Sequence, residues 1–98
     1  MSQRQTSIMV VDGSEVSRTI IGRILKNEMS NVSITSCANA EEALARLGNW
    51  ERFDLITTSL MLPDLDGLDL CRKIRASERH YYTPVIVVSG DADSRLLR

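Results

Sequence analysis

Three residues with chemically useful polar side chains, Asp12, Ser59 and Ser89, stand at the ends of apolar, β-branched runs in this sequence. Asp12 supplies a carboxylate, and the two serines supply hydroxyl groups. A serine hydroxyl is a weak nucleophile that needs a neighbouring base to take its proton. The only histidine, His80, follows the third predicted helix, so no base is evident for either serine.

Other constellations of reactive residues are weaker. The sequence has no glycine-rich phosphate loop, Ser/His/Asp set or zinc-ligand spacing. Asp64 and Asp66 form a possible acid–base pair, but the preference of aspartate for turns explains both. Residues 91–93, Asp-Ala-Asp, resemble a metal-binding motif, yet their position is typical of a helix start. Cys37 and Cys71 are predicted to be small buried side chains in a reduced protein.

Strand and helix patterns alternate along the chain and must position these residues. Four apolar runs predict strands at 7–11, 32–36, 53–59 and 85–88, and the second has the alternation expected of a strand that is half covered or at a sheet edge. Helical spacing lies between them. Ser14 is the predicted N-cap of the first helix, and Asn39 with Glu42 has capping-box spacing for the second.

The first helix has an apolar stripe and a basic side. The stripe consists of Val16, Ile20 and Ile24, with Ile21 and Leu25 beside them. We expect this stripe to face the core, because residues four apart share one face of a helix. The predicted solvent side carries Arg18, Arg23 and Lys26.

This order of elements predicts an α/β fold, a doubly wound parallel sheet with helices on both faces. In such sheets the functional crevice lies beyond the carboxyl ends of the strands. Asp12 and its neighbour Gly13, Ser59 and its neighbour Met61, and Ser89 therefore become the candidate site residues.

Three segments carry a resemblance to a known family. They are residues 8–12, residues 53–67 with the loop Leu-Met-Leu-Pro-Asp-Leu-Asp-Gly, and residues 84–90. In this order they resemble the receiver domain of two-component response regulators. The resemblance implies a flavodoxin-like fold, as in chemotaxis response regulators, with strand order 2-1-3-4-5. It also implies a lead-in at 1–7, a receiver-like domain at 8–98, and a fifth strand and helix missing from this chain.

The same resemblance implies roles for the candidate residues. Asp12 corresponds to one of two acids that hold magnesium, Gly13 to the second acid, and Met61 to the residue whose carbonyl completes the metal shell. Ser59 stands at the position of the phosphoacceptor aspartate, and Ser89 at that of the switch hydroxyl. Because two of three carboxylates are replaced, we expect weak or no magnesium binding and no other cofactor.

The expected function is that of a pseudo-receiver, a non-enzymatic regulatory module that works by protein contact in bacterial phosphorelay signalling. Its expected partner is a histidine kinase or the output domain of a response regulator. The alternative is a working phosphoacceptor receiver in which Asp12 or an unconventional Ser59 accepts the phosphoryl group. An engineered substitution at Ser59 remains a further alternative.

Composition sets the broad class. The chain has 98 residues, 43% of them hydrophobic and 26% charged, as expected of one globular domain. Its formal charge of -1 gives no broad attraction to nucleic acid or anionic membranes, and no apolar run is long enough to span a membrane. We expect a cytoplasmic protein. Without a fifth strand, the fourth would expose an apolar edge, which predicts a homodimer or an exchange of elements between copies.

Overall fold

The computed structural model describes residues 4–49 and 51–88. Its strands are β1 (Thr6–Val11), β2 (Val32–Cys37), β3 (Leu55–Ser59) and β4 (Val85–Val88). Its helices are α1 (Glu15–Glu28), α2 (Ala40–Gly48) and α3 (Gly67–Ala76), and a short 3-10 turn, Glu78–His80, follows α3. None of the helices within the described ranges is long and apolar enough to cross a membrane.

The four strands form one parallel sheet with the order β2-β1-β3-β4, as predicted. β1 is a central strand, and its residues 8–11 are at most 1% exposed. β2 lies at one edge, which agrees with its alternating sequence. β1 begins at Thr6, one residue earlier than predicted and inside the expected lead-in.

The main core lies between the sheet and the pair α2 and α3. Met9 and Val11 of β1 and Ile56 of β3 are completely or almost completely buried on this side. The helices contribute these buried residues: Ala40, Ala43, Leu47, Leu70 and Ile74. Cys37 is buried in the same cluster and burial raises the pKa of its thiol, as expected of a packing residue, whereas Cys71 is only half-buried.

The stripe predicted to face the core on α1 is exposed instead. Val16, Ile20 and Ile24 are 68%, 52% and 55% exposed, and α1 has no fully buried residue. Arg18, predicted to face solvent, is half-buried, and its guanidinium donates to the carbonyl of Asp12 at 2.6 Å. The prediction was wrong because periodicity identifies an apolar stripe but not the element that covers it.

β3 begins at Leu55 rather than at Phe53. The residue before it, Asp54, uses its carboxylate to accept hydrogen bonds from the Arg4 guanidinium at 2.8 Å and from the Ser7 backbone N–H at 2.8 Å. These bonds, the one from Arg4 first, hold the pKa of Asp54 below its usual value. The apolar run alone did not reveal that the Asp54 side chain joins the start of β3 to β1 and to Arg4 just before it.

All three helices begin with a side-chain cap. Ser14 Oγ accepts a hydrogen bond from the N–H of Ser17, and Asn39 Oδ1 accepts one from the N–H of Glu42. The Glu42 carboxylate reaches back to the N–H of Ala38, one residue before the cap. Asp66 caps α3. The two predicted caps are therefore confirmed.

A second cap of α2 comes from a distant loop. The Asp64 carboxylate accepts hydrogen bonds from the backbone N–H groups of Ala40 at 3.0 Å and Glu41 at 2.9 Å. The bond from Ala40, followed by the one from Glu41, lowers the pKa of Asp64. Asp64 therefore stabilises the start of α2 across 24 residues of sequence, a role that the turn preference of aspartate did not suggest.

Gly67→Ala is predicted to destabilise the chain. A Cβ at Gly67 would overlap the carbonyl oxygen of Ser59 and lie 3.0 Å from the Cα of Leu60. Because backbone atoms cannot move aside cheaply, we expect a loss of about 3 kcal/mol in the free energy of unfolding, measured by urea denaturation. Gly48→Ala is the matched control, since its Cβ would meet nothing within 4 Å. Equal effects of the two substitutions would contradict the steric explanation.

Asp64→Asn is predicted to reduce the acid sensitivity of the fold. Because the pKa of Asp64 is lower in the folded chain, its contribution is present above the ordinary aspartate pKa of about 3.9 and is lost as the pH falls through the folded value. We expect the melting temperature of the variant to be lower at neutral pH and to fall less on acidification. Asp69→Asn is the control, because Asp69 pairs with Arg72 rather than with helix amides. An unchanged pH profile for Asp64→Asn would refute the capping argument.

Candidate functional site

The sheet brings the ends of β1, β3 and β4 together at one edge. Val11 is in register with Thr58, and Ser59 is in register with Val88. Asp12, which follows β1, and Ser59, which ends β3, therefore emerge side by side from neighbouring parallel strands. The third predicted residue, Ser89, lies outside the described residues.

Asp12 is half-buried and held by local hydrogen bonds. Its carboxylate accepts the N–H of Ser14 at 2.9 Å, and its carbonyl accepts the Arg18 guanidinium at 2.6 Å. The first bond ties the carboxylate to the turn that starts α1. The second bond places the positive charge of Arg18 next to the carboxyl end of β1. The helical pattern of α1 had predicted that this side chain faces solvent.

Ser59 is hydrogen-bonded to the backbone of Met61. Its hydroxyl donates to the Met61 carbonyl at 3.2 Å and accepts the Met61 N–H at 3.3 Å. These are the hydrogen bonds of the Ser59 hydroxyl within the described part of the chain. The hydroxyl thus closes a small turn on the Met61 backbone. The Met61 side chain is more than half exposed.

The position of Gly13 is filled by Pro63. A Cβ at Gly13 would lie 3.1 Å from Cδ and 3.2 Å from Cγ of Pro63, closer than an ordinary van der Waals contact. Any side chain at position 13 would require the proline ring to shift. Gly13 and Pro63 therefore form a tight contact beside Asp12.

Gly67 holds the loop after β3 against the end of that strand. Its N–H donates to the carbonyl of Leu60 at 2.7 Å, and its lack of a side chain lets α3 begin directly beside Ser59. Met61 and Asp66 form a further bridge across the loop. The Ser59 hydroxyl is consequently held by a loop that is closed at both ends.

Carboxylates are scarce among the predicted site residues at this edge. Asp12 is the one predicted site residue that has a carboxylate, and Arg18 lies against its carbonyl. In the ranges 4–49 and 51–88, no group of three Asp, Glu, His or Cys side chains is arranged to hold a metal ion.

His80 lies far from the predicted site along the strand direction. It is buried, its Nε2 is 3.2 Å from the carbonyl of Leu47, and its own carbonyl accepts the N–H of Thr83 just before β4. A bond to a carbonyl requires a protonated Nε2. His80 therefore lies at the amino ends of the strands and is not positioned to act as a base for Ser59.

Two residues of this region were missed by the sequence analysis. Arg18 was assigned to solvent and Asp64 to an ordinary turn. Arg18 lies two residues after Val16 and on the same helix face as Leu25. Its position on that face, rather than on the solvent side, is the signal for its half-burial. No local pattern signals Asp64, because its partners begin 24 residues away.

Comparisons with known proteins agree with this fold. The family described as the response regulator receiver domain matches residues 8–98. The chain is 34% identical to the transcriptional regulatory protein ResD of Bacillus subtilis, over 91% of this chain and 35% of that protein. It is 33% identical to the chemotaxis protein CheY of Pseudomonas aeruginosa, over 87% of this chain and 67% of that protein.

A solved structure of a receiver protein has the same fold. The response regulator receiver protein from Pseudomonas putida matches with a TM-score of 0.78 and 33% identity, over 97% of this chain and 78% of that structure. The chain spans 11%, 35% and 61% of the length of three of the curated relatives that it matches. On the family match, the fold and these identities, the chain belongs to the receiver domain family of two-component response regulators.

Proposed function

We propose that this chain is a pseudo-receiver, a regulatory module that acts by protein contact and without conventional aspartyl phosphorylation. The observation that carries the proposal is the state of Ser59. At the position where the family resemblance places an ionised aspartate, a neutral hydroxyl is hydrogen-bonded in both directions to the Met61 backbone. An aspartate attacks phosphorus as a carboxylate, whereas this hydroxyl must first lose a proton.

No basic side chain is hydrogen-bonded to the Ser59 hydroxyl in the described part of the chain. Transfer to Ser59 would form an Oγ–P bond, break the bond between phosphorus and the donor (P–N for a phosphohistidine, P–O for acetyl phosphate), and release the serine proton to a base. Both hydroxyl contacts of Ser59 in the described part of the chain are to backbone atoms, and His80 lies at the other end of the strands. These features support a site that does not transfer phosphate.

The residues present do not fit a magnesium site. The hard cation requires several oxygen ligands, preferably carboxylates. Asp12 provides one carboxylate, which already accepts a hydrogen bond from the N–H of Ser14. The Met61 carbonyl likewise already accepts a hydrogen bond from the Ser59 hydroxyl. Pro63 leaves little space for a second acid at Gly13. We therefore propose that protein contact by this chain does not require magnesium.

The partner proposed is a protein of the same signalling system, a histidine kinase or an output domain, in the cytoplasm of a bacterium. Support comes from the family and from relatives such as ResD, whose name describes a transcriptional regulatory protein. The proposed role is regulatory and non-enzymatic. Phosphate acceptance by Asp12 or Ser59 is the alternative that the following experiment separates.

Incubation with acetyl phosphate and magnesium is predicted to leave the chain unmodified. Intact-mass spectrometry measures the mass of a phosphoryl group directly. Ser59→Asp introduces an ionised acceptor and tests whether the acceptor alone limits phosphoryl transfer. The double variant, Gly13→Asp with Ser59→Asp, adds the second acid as well. We expect no adduct on the original chain or on Ser59→Ala, and the largest adduct on the double variant.

A stoichiometric adduct on the original chain would overturn the proposal. Loss of that adduct in Ser59→Ala would identify a working serine acceptor, and its loss in Asp12→Asn alone would identify Asp12. Circular dichroism of each variant checks that the fold is retained. Gly13→Asp requires this check most, since Pro63 must shift to admit the new side chain.

We also propose that a second copy of the chain covers β4. Val85 packs against the core beneath α2 and α3, so Ile86 and Val88 point to the opposite face of the sheet, the side on which α1 lies. They are 52% and 41% exposed, and the exposed stripe of α1 adds Val16, Ile20 and Ile24. A two-fold axis beside β4 would pair two strand edges and bury both apolar faces.

This dimer is predicted to weaken when charge is placed on the apolar face. Sedimentation velocity of the 98-residue chain is expected to show a concentration-dependent dimer, and Ile86→Lys with Ile20→Lys is expected to be monomeric. Tyr82→Lys is the matched control, because Tyr82 is exposed and lies before β4. A well-folded monomer at high concentration would refute the second-copy proposal.

A further inference from the structure

A groove of about 280 Å³ lies between α1 and β2, at the edge of the sheet opposite to β4. One wall is formed by α1 and the other by Ile34 and Ser36 of β2. Gly22 lies in its floor, where a Cβ would be 4.0 Å from the Ile34 side chain. The groove exists because position 22 of α1 has no side chain to fill it. We call it the basic groove.

The lining of the basic groove carries three positive charges and no acid. The cations are Arg18, Arg23 and Lys26. Arg18 donates to the Asp12 carbonyl, which leaves its charge uncompensated by a carboxylate. None of the ion pairs found in the described ranges involves Arg23 or Lys26. In a chain whose formal charge is -1, this is a local excess of positive charge.

The basic groove runs beside an open strand edge. β2 pairs with β1 on one side, and no described strand pairs with its other side. Backbone N–H and C=O groups on an open edge can pair with an added extended chain. Ile34 and Ser36, which alternate onto the α1 side of β2, place the groove directly next to that edge.

We propose that the basic groove and the β2 edge bind an acidic, extended peptide segment of a partner protein. The segment adds to the sheet as a strand beside β2, and its alternate acidic side chains lie over Arg23 and Lys26. The peptide backbone supplies affinity through the strand edge, and the three cations supply selectivity for acidic sequence. This surface does not include Ser59 or β4, which lies three strands across the sheet from β2, and it shares only Arg18 with the surroundings of Asp12.

Two other ligand classes fit less well. The volume of about 280 Å³ lies just below the roughly 300 to 1,000 Å³ typical of small-molecule pockets. A nucleic acid would require a broader basic surface than three side chains in a chain with a net negative charge. Of these three ligand classes, only a peptide would bind both to the cations and to the open strand edge beside them.

The test uses fluorescence anisotropy with a labelled peptide of alternating Glu and Val, about ten residues long. The alternating Lys and Val peptide reverses its charge, and a Glu and Pro peptide keeps the charge but removes every second backbone N–H donor and restricts the backbone at those residues. We expect binding of the Glu and Val peptide that weakens with added salt, and markedly weaker binding of the other two. Amide NMR shifts are expected to cluster on residues 32–37.

The test variant is Arg23→Glu with Lys26→Glu, whose side chains are exposed, so that the fold is retained. We expect its affinity for the Glu and Val peptide to fall about tenfold, whereas Arg72→Glu with Lys73→Glu, the same charge change on α3, leaves it within about twofold. Gly22→Leu fills the floor of the basic groove without changing charge and is expected to weaken binding as well.

Three results would overturn the whole proposal, and a fourth would reject the added strand. The first three are the absence of binding by the original chain, an equal loss in the α3 control variant, and NMR shifts confined to β4 or to the loop after β3. Equal binding of the Glu and Pro peptide would also reject the added strand, because charge alone would then explain the affinity. Thermal unfolding of each variant distinguishes these results from loss of the fold.

Discussion

The burial of residues 8–11 of β1 on both faces is the constraint on which the rest of the structure depends. A parallel strand covered on both faces requires helices on both sides, and each connection must cross over the sheet. The carboxyl ends of all four strands consequently meet at one edge. Asp12 and Ser59 lie together for this reason, although 46 positions of sequence separate the two and neither side chain is hydrogen-bonded to the other in the contacts described.

The same burial explains why two faces of the molecule differ. On one side, α2 and α3 close a continuous core with β1 and β3. On the other side α1 contacts β1 and β2, and the β3–β4 half of that face has no described helix over it. The exposed apolar stripe of α1 borders this uncovered half. The stripe is exposed because of the position of α1 on the sheet, and not because α1 lacks regular helical structure.

Much of the fold could be predicted from local patterns. Strand order, the four apolar runs and the caps at Ser14 and Asn39 follow from short-range spacing, because their partners are within a few residues or repeat along one element. The burial of α1 and the bonds of Asp54 and Asp64 could not be predicted in this way, since their partners come from elsewhere in the chain. For the candidate site, spacing located Asp12, Gly13, Ser59 and Met61 at one edge, but it did not reveal the Ser59–Met61 turn, the Gly13–Pro63 contact or Arg18.

The cap that Asp64 forms on α2 joins two segments into one cooperative unit. The loop after β3 cannot move away from the sheet without releasing the amides of Ala40 and Glu41, so opening of the loop and fraying of α2 are a single event. Hydrogen exchange at the first turn of α2 therefore reports on the loop beside Ser59. A protein that binds this loop would slow exchange in a helix that it does not touch.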